Sequence, residues 1–344
     1  MQSSSRFQSV IVASVAVAIV VLASSGVVSI LGKSSSVVLA KESGSFALLS
    51  PAQDISTAAH LIRASHSVDL EMYELGNPEI VAALESVQPS RNVRVILDPT
   101  ERQSKVTGPI LQAHGIQVRY MAIPGGIDHV KLLIADGHVL TGGVNMGSSS
   151  AYTDDLGMEL GSVSSAEAIF NSDWARSGSG KQPIAKSVGP FVTGHSAILD
   201  TILHVITGTR KGGTCYVVAN YLTDYSIRNA LVASINSGVN VHVVLNSEAY
   251  GASYAASMLR ADGASVEFAP RSPYLHAKVL ACQLGKTYSA VGGSANFSYD
   301  GMNVNHELDI VLVGSDAHQV FDWAQQVYVV KIRKMLTKGV HFCE

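Results

Sequence analysis

At 344 residues, with 47% hydrophobic and 15% charged side chains, the chain has the apolar material for a large core and is expected to divide into two units of roughly 150 residues. Three cysteines exclude a small disulfide scaffold, and the high apolar content excludes a mostly disordered chain. The net charge is −3, and all 27 acids follow residue 41 while Arg6 and Lys33 precede it, so the remainder is more acidic still, unlike a general polyanion binder.

In chain order, the first forty residues are of a separate kind. No charge falls between Arg6 and Lys33, and residues 10–31 are apolar apart from Ser and Gly, enough to cross about 30 Å of hydrocarbon. The segment suits a membrane anchor or a secretory signal with exits at Val21-Leu22-Ala23 or Val38-Leu39-Ala40; either one predicts export, with the protein secreted or held at the cell membrane. Beyond it, periodicity predicts a helix over 54–64, a strand over 67–73, a helix over 78–87, a strand over 92–97, a helix closed by Gly115 and a strand over 117–120. A Ser/Gly/Lys-rich stretch at 177–189 reads as a linker between domains at 41–176 and 190–344, with 1–40 as the leader. The second half then repeats the first: a helix over 197–206, a strand over 214–221, a helix over 226–237, a strand over 240–245, a helix closed by Gly263 and a strand over 265–269. Strands alternating with helices predict an α/β fold, here a duplicated one.

The two copies align residue by residue. Asp69-Leu-Glu-Met-Tyr73 matches Val217-Val-Ala-Asn-Tyr221, and Val93-Arg-Val-Ile-Leu-Asp98 matches Val241-His-Val-Val-Leu-Asn246. Further on, His129-Val-Lys131 matches His276-Ala-Lys278, Gly142-Gly-Val-Asn145 matches Gly292-Gly-Ser-Ala-Asn296, and Met158-Glu159-Leu160 is set against His306-Glu307-Leu308. On a strand, His and Lys two apart project from one face, so each copy aims an imidazole and an ammonium into one space. The Gly-Gly turn permits close backbone approach, Asn offers a neutral donor, and a carboxylate can fix a histidine's tautomer. Two such sets meeting across a pseudo-twofold would suit transfer at a phosphodiester: one imidazole attacks phosphorus, the other protonates the leaving oxygen, and two lysines balance the phosphoryl charge.

At this point the chain resembles a family. His129-x-Lys131-x4-Asp136, followed by Gly142-Gly-x-Asn145, is similar to the HKD signature of the phospholipase D superfamily, and His276-x-Lys278 with Gly292-Gly-x-x-Asn296 is similar to its second copy. The resemblance covers about residues 45–330 and implies two α/β domains, each a mixed sheet flanked by helices, with both motifs at the interface. It implies a phosphohistidine intermediate on His129, His276 as general acid and base, Lys131 and Lys278 on the phosphoryl oxygens, and Glu159 and Glu307 as the acids that orient the histidines. Asn145, Asn296 and Asp136 follow as phosphate-binding or supporting residues. No metal and no cofactor are implied. One departure stands out: where the second motif calls for an acid five residues after Lys278, the chain has Gln283, which puts the geometry of the second half in question.

Other features read as ordinary. Cys215 and Cys282 fall in predicted core strands, where they either pair or remain buried thiols, and without a Cys-x-x-Cys spacing no zinc site is expected. Tyr73 and Tyr221 read as equivalent strand-end packing residues, Asp154-Asp155 as a solvated loop, and the remaining histidines as surface or core residues, with His306 beside Glu307 the one to watch. The expected function is therefore a monomeric phospholipase D-like phosphodiesterase acting on phospholipid at a membrane surface, by hydrolysis or transfer. A nonspecific exported nuclease and a noncatalytic anion-binding protein are the alternatives. Only 6% aromatic residues and a lack of basic runs weigh against the nuclease.

Overall fold

A computed structural model describes residues 27–29, 38–40, 45–87, 91–161 and 164–337. The chain runs β1 (Val27–Ser29), β2 (Val38–Ala40), β3 (Phe46–Leu49), α1 (Pro51–Ala64), β4 (Ser67–Met72), α2 (Pro78–Glu85), β5 (Asn92–Leu97), α3 (Arg102–Ala113), β6 (Gln117–Tyr120), β7 (Lys131–Ala135), β8 (His138–Gly142), β9 (Gly157–Leu160) and α4 (Ser164–Arg176). The second half follows as β10 (Lys186–Val188), β11 (Phe191–Thr193), α5 (His195–Gly208), β12 (Thr214–Ala219), α6 (Tyr225–Asn236), β13 (Asn240–Asn246), α7 (Ala252–Ala261), β14 (Ser265–Ala269), β15 (Lys278–Leu284), β16 (Thr287–Gly293), α8 (Tyr299–Asn303), β17 (Leu308–Val313) and α9 (Gly314–Thr337).

Local chemistry accounts for the helix starts. Ser50 and Gln53 form a reciprocal capping box ahead of Pro51, Asn77 caps α2 before Pro78, and Asp224 accepts from Ile227 N at the start of α6. The central strands are apolar and buried along nearly their whole length, leucine-rich in β7 and β-branched in β12, because helices cover both faces of each sheet.

Two mixed sheets result, ordered β3-β9-β8-β7-β4-β5-β6 and β10-β11-β17-β16-β15-β12-β13-β14. Apart from the extra edge strand β10 the orders correspond strand for strand, so the duplication read from sequence is a duplication of fold. In each lobe three strands are parallel (β4-β5-β6; β12-β13-β14) and the rest antiparallel. Lys186–Val188 pairs with β11, so the second sheet begins inside the stretch that composition marks as a linker.

The register also revises the alignment. Met72 opposes Lys131 and Ala219 opposes Lys278, so Tyr73 corresponds to Asn220 rather than to Tyr221. Three cores form. One lies beneath α1 and α2, one beneath α5 and α6, and the third contains residues of both sheets together with Phe170 of α4 and Phe321 of α9. This shared core fixes the lobes against each other, and truncating a fully buried Phe of this kind costs about 3–5 kcal/mol.

Most of the apolar N-terminal segment expected to act as a leader lies outside the described residues; within it Val27–Ser29 forms β1, paired with β2. Among the described residues no helix is long and apolar enough to cross a membrane. Cys215 and Cys282, cross-strand partners on β12 and β15, form a disulfide, so the alternative of free thiols is set aside. The bridge closes a loop of 67 residues, which on chain-entropy grounds stabilises the fold by about 4 kcal/mol. Under non-reducing denaturation the three cysteines are expected to yield one titratable thiol, and C215A/C282A to melt several degrees lower than the parent. Three reactive thiols in the oxidised protein would refute the pairing.

Candidate active site

The HxK segments lie where each chain enters the antiparallel strand next to its parallel set. Lys131 and Lys278 are the first residues of β7 and β15, and each histidine stands two residues before. Lys131 Nζ donates to the carbonyl of His129 at 2.6 Å, and Lys278 Nζ donates likewise to the carbonyl of His276. Both lysines are almost completely buried, so each ammonium is held against its own histidine's backbone. Lys131 also lies over the ring of Tyr73, 5.4 Å from its centroid, while the same ring meets His129 edge-on at 5.0 Å. Tyr73 is thus part of the site rather than ordinary packing.

The orienting carboxylates are crossed between lobes. His129 Nδ1 donates to both oxygens of Glu307, at 3.0 and 2.8 Å. Glu307 is held in turn by Ser294 Oγ at 2.5 Å and Asn305 Nδ2 at 3.1 Å. His276 Nδ1 donates to Asp155 Oδ2 at 2.6 Å, and Asp155 Oδ1 accepts from Leu156 N. Because a carboxylate only accepts, Nδ1 carries the hydrogen in both rings; Nε2 of His129 is left to the substrate, whereas Lys278 Nζ stands 2.8 Å from His276 Nδ1 and 3.2 Å from its Nε2.

Asp155, not Glu159, is therefore the partner of His276. Glu159 lies in the middle of β9, paired with Ala47 and Leu140, and bonds neither histidine. Nor is Asp155 part of a solvated loop, being buried. A sequence signal existed. The separation between matched residues is 147 at His129/His276, 150 at Gly142/Gly292 and 151 at Asn145/Asn296, so it grows as loops lengthen; setting Glu159 against Glu307 drops it back to 148, whereas Asp155 against Glu307 continues it to 152. The glycine turn serves this contact, since a methyl group on Gly143 would collide with Asp155 Oδ1.

Asn145 and Asn296 lie half-buried just past β8 and β16, each with a side-chain oxygen that accepts no hydrogen bond. Asp136 does not belong to the site. It sits in a left-handed turn at the far end of β7, roughly 16 Å along the strand from Lys131, where its carboxylate accepts from His66 N and Ser67 N. Those two bonds hold its carboxyl below the usual range. Gln283, the counterpart, caps its own turn through Gly285 O and Tyr288 Oη. The departure in the second motif therefore falls at a strand end remote from the histidines, and it leaves the His276–Asp155 pair intact.

Burial dominates the electrostatics. It pushes His129 down to about 4 although Glu307 beside it pulls the other way, so the ring is neutral at pH 7. It pushes Lys131 down to about 7, opposed by Glu307 and reinforced by Lys278. For Asp155, burial works upward but is outweighed by Lys278 and His276, and the carboxyl ends below its usual range. Glu307 is likewise held low by His129 and Lys131 against the effect of burial. The site thus combines two ionised carboxylates, two buried lysines within electrostatic reach of each other, and one imidazole with a free lone pair.

The sequence matches the family described as "Cardiolipin synthase, PLD-like domain" twice, over residues 58–174 and 202–327. No curated protein matches the chain. Among solved structures, phosphatidylserine synthase of Haemophilus influenzae is similar with a TM-score of 0.63 at 11% identity, covering 82% of this chain and 85% of that one. Polyphosphate kinase of Porphyromonas gingivalis is similar with a TM-score of 0.62 at 14% identity, covering 82% of this chain; this chain spans 46% of the kinase. At such identities the likeness is one of fold.

Asp155→Asn is expected to lower turnover of a soluble phosphodiester about 100-fold or more, and Glu159→Gln to stay within about threefold of the parent. Equal losses for the two variants, with melting temperatures unchanged, would restore Glu159 to the role.

Proposed function

The chain belongs to the cardiolipin synthase PLD-like family of the phospholipase D superfamily, and from that premise we propose that it transfers the phosphatidyl group of a phospholipid through a phosphohistidine on His129. The observation that carries the reading is the pair of crossed contacts, His129 to Glu307 and His276 to Asp155, with a buried lysine behind each imidazole.

In the first step His129 Nε2 attacks phosphorus and forms a P–N bond while the bond to the headgroup oxygen breaks. That oxygen takes a proton from His276 Nε2, and Asp155 stabilises the imidazolium that supplies it. In the second step an acceptor hydroxyl, from water or an alcohol, gives its proton to His276 and attacks phosphorus, releasing neutral His129. Glu307 stabilises the positive charge that develops on the attacking ring, and Lys131 and Lys278 balance charge on the phosphoryl oxygens. His276, partly exposed where His129 is nearly buried, has the access to solvent that exchanging protons with a departing and an arriving group requires.

A lipid substrate is supported by the family's description, by the acidic balance of the chain and by the leader. Location outside the cytoplasm is supported by the Cys215–Cys282 bridge, since disulfides persist in oxidising compartments. A site completed by the protein's own two lobes is consistent with a working monomer.

Full-length protein incubated with phosphatidylglycerol or phosphatidylcholine vesicles is expected to release phosphatidic acid or a transfer product, with turnover falling roughly 1000-fold or more in His129→Asn. A lipid with a nitrophenyl leaving group, which needs no proton, should leave substrate phosphorus on His129 in His276→Asn. Label on His276 instead would exchange the two roles, and nicking of plasmid DNA without lipid turnover would make the protein a nuclease.

The pH dependence follows from three shifted groups: besides His129 and Lys131, His276 must carry a proton to act as the acid, and burial with Lys278 beside it lowers its pKa below the usual histidine range. His129 attacks only when neutral, which holds above about 4, and Lys131 assists only when charged, which fails as pH rises through about 7. With a soluble diester, kcat/KM of the free enzyme is therefore expected to rise near pH 4, to fall first as His276 loses its proton below the ordinary histidine range, and to fall further as Lys131 loses its charge through about 7. A profile that stays flat to pH 9 would remove both His276 as the acid and Lys131 from the charge balance.

A further inference from the structure

Directly behind the catalytic contacts, on the seam between the lobes, lies a second group of titratable side chains. Ile127–His129 and His306 run side by side: His129 N donates to His306 O at 2.8 Å, and His306 N donates to Ile127 O at 2.9 Å. This bridge brings Asp128 beside His306, with Glu71 of β4 and Asp173 of α4 completing the cluster. Ligand atoms of Glu71, Asp128 and His306 lie within 4.8 Å of one another. His306 Nε2 stands 3.3 Å from Asp173 Oδ2 and 3.7 Å from Glu71 Oε1.

Two observations point to a ligand. First, Glu71 and Asp128 are completely buried, yet none of their four carboxylate oxygens accepts a hydrogen bond. A buried ionised carboxylate without partners costs several kcal/mol. Glu307 and Asp155, likewise buried, accept hydrogen bonds on both oxygens.

Second, the duplication supplies an internal control. On the opposite side of the pseudo-twofold the same bridge recurs, with Asp154 N donating to Tyr274 O and His276 N to Asp154 O, both at 2.8 Å. There the residue matching Asp128 is Leu275 and, by the strand register, the residue matching Glu71 is Val218, both packed into the shared core. With Asp154 there in the place of His306, the backbone arrangement is stable with apolar side chains at these two positions, so the bridge itself does not require the two acids of the first lobe.

We propose that Glu71, Asp128 and His306, with Asp173 as a fourth donor, bind a divalent transition-metal ion, Zn2+ or Mn2+, that clamps the two lobes together. Two or three carboxylates and one imidazole are the donor set of such ions. Donors on one ion at 2.0–2.2 Å stand roughly 3–4 Å apart, so the side chains need to contract only modestly around it. His306 would coordinate through Nε2, and Thr193 Oγ1, 3.5 Å from Nδ1, would accept from the other ring nitrogen and fix the tautomer. His306 also forms part of the wall of a cavity of about 360 Å3 lined by Pro124, Gln182, Ala185 and Gly194, which gives an ion a path to the seam. Two of the donors, Asp128 and His306, are the chain neighbours of His129 and Glu307, so the ion would stiffen their contact without facing the phosphorus.

The rival account is that the cluster holds protons instead, since burial drives Glu71 well above its usual range and Asp128 to about 7. The two accounts separate on the full-length protein without any activity measurement. Elemental analysis of protein purified without added metal, then stripped with EDTA and titrated with ZnCl2 or MnCl2, is expected to give one equivalent per chain. A melting temperature lowered by stripping and restored by the ion should accompany it. Glu71→Gln and Asp128→Asn, which keep shape and remove charge, should weaken binding tenfold or more and make melting insensitive to EDTA.

Should a variant fail to fold, X-ray absorption at the metal edge of the parent protein reads the same point: oxygen ligands with one imidazole support the site. Parent protein that takes up no stoichiometric ion and melts unchanged in EDTA would overturn the proposal in favour of shared protons. Full binding retained in both variants would overturn it by placing the ion elsewhere.

Discussion

The rest of the site depends on one arrangement: each histidine is oriented by a carboxylate from the opposite lobe. His129 stands on the first lobe and Glu307 on the second, while His276 stands on the second and Asp155 on the first. Neither lobe alone holds an oriented imidazole, and a displacement of one relative to the other by about an ångström would break both contacts at once. The hydrogen-bonded bridges beside them, Asp128 with His306 and Asp154 with Leu275, make the same crossing through the backbone. Tautomer, nucleophilicity and the meeting of the two motifs are thus consequences of one interface.

That interface is rigid for ordinary reasons. The core between the lobes contains side chains from both sheets and from α4 and α9, so it behaves as the interior of one domain rather than as a hinge between two. Burial at this depth also sets the chemistry. The same removal from water that keeps His129 neutral lowers Lys131 toward neutrality, and the carboxylates remain ionised only because a histidine and a lysine stand against each of them.

The two copies have diverged where the fold allows it. The aspartate that caps the turn after β7 has become Gln283 after β15, at a strand end far from the histidines, and a local turn interaction replaces it. The second lobe gained a disulfide between β12 and β15, while the first carries acids where the second has Val218 and Leu275. What stayed constant is the histidine, its lysine, the asparagine and one carboxylate per lobe.

Much of this was legible in the sequence. The duplication and the order of helices and strands follow from periodicity, because strands and helices impose short repeats on the chain, and His129, Lys131, His276, Lys278 and Glu307 stand out through matched motifs and their resemblance to the HKD signature. Asp155 is marked only by the drift of the offset between the copies; the crossed pairing, the remoteness of Asp136, the place of Tyr73 beside His129 and the acids gathered around His306 do not follow. Each is a contact between residues dozens to more than a hundred positions apart, set by strand register and by how two sheets pack through a common core. A linear pattern records which side chains share a face of one element; which face meets it from the other half of the molecule is decided only when the chain has folded.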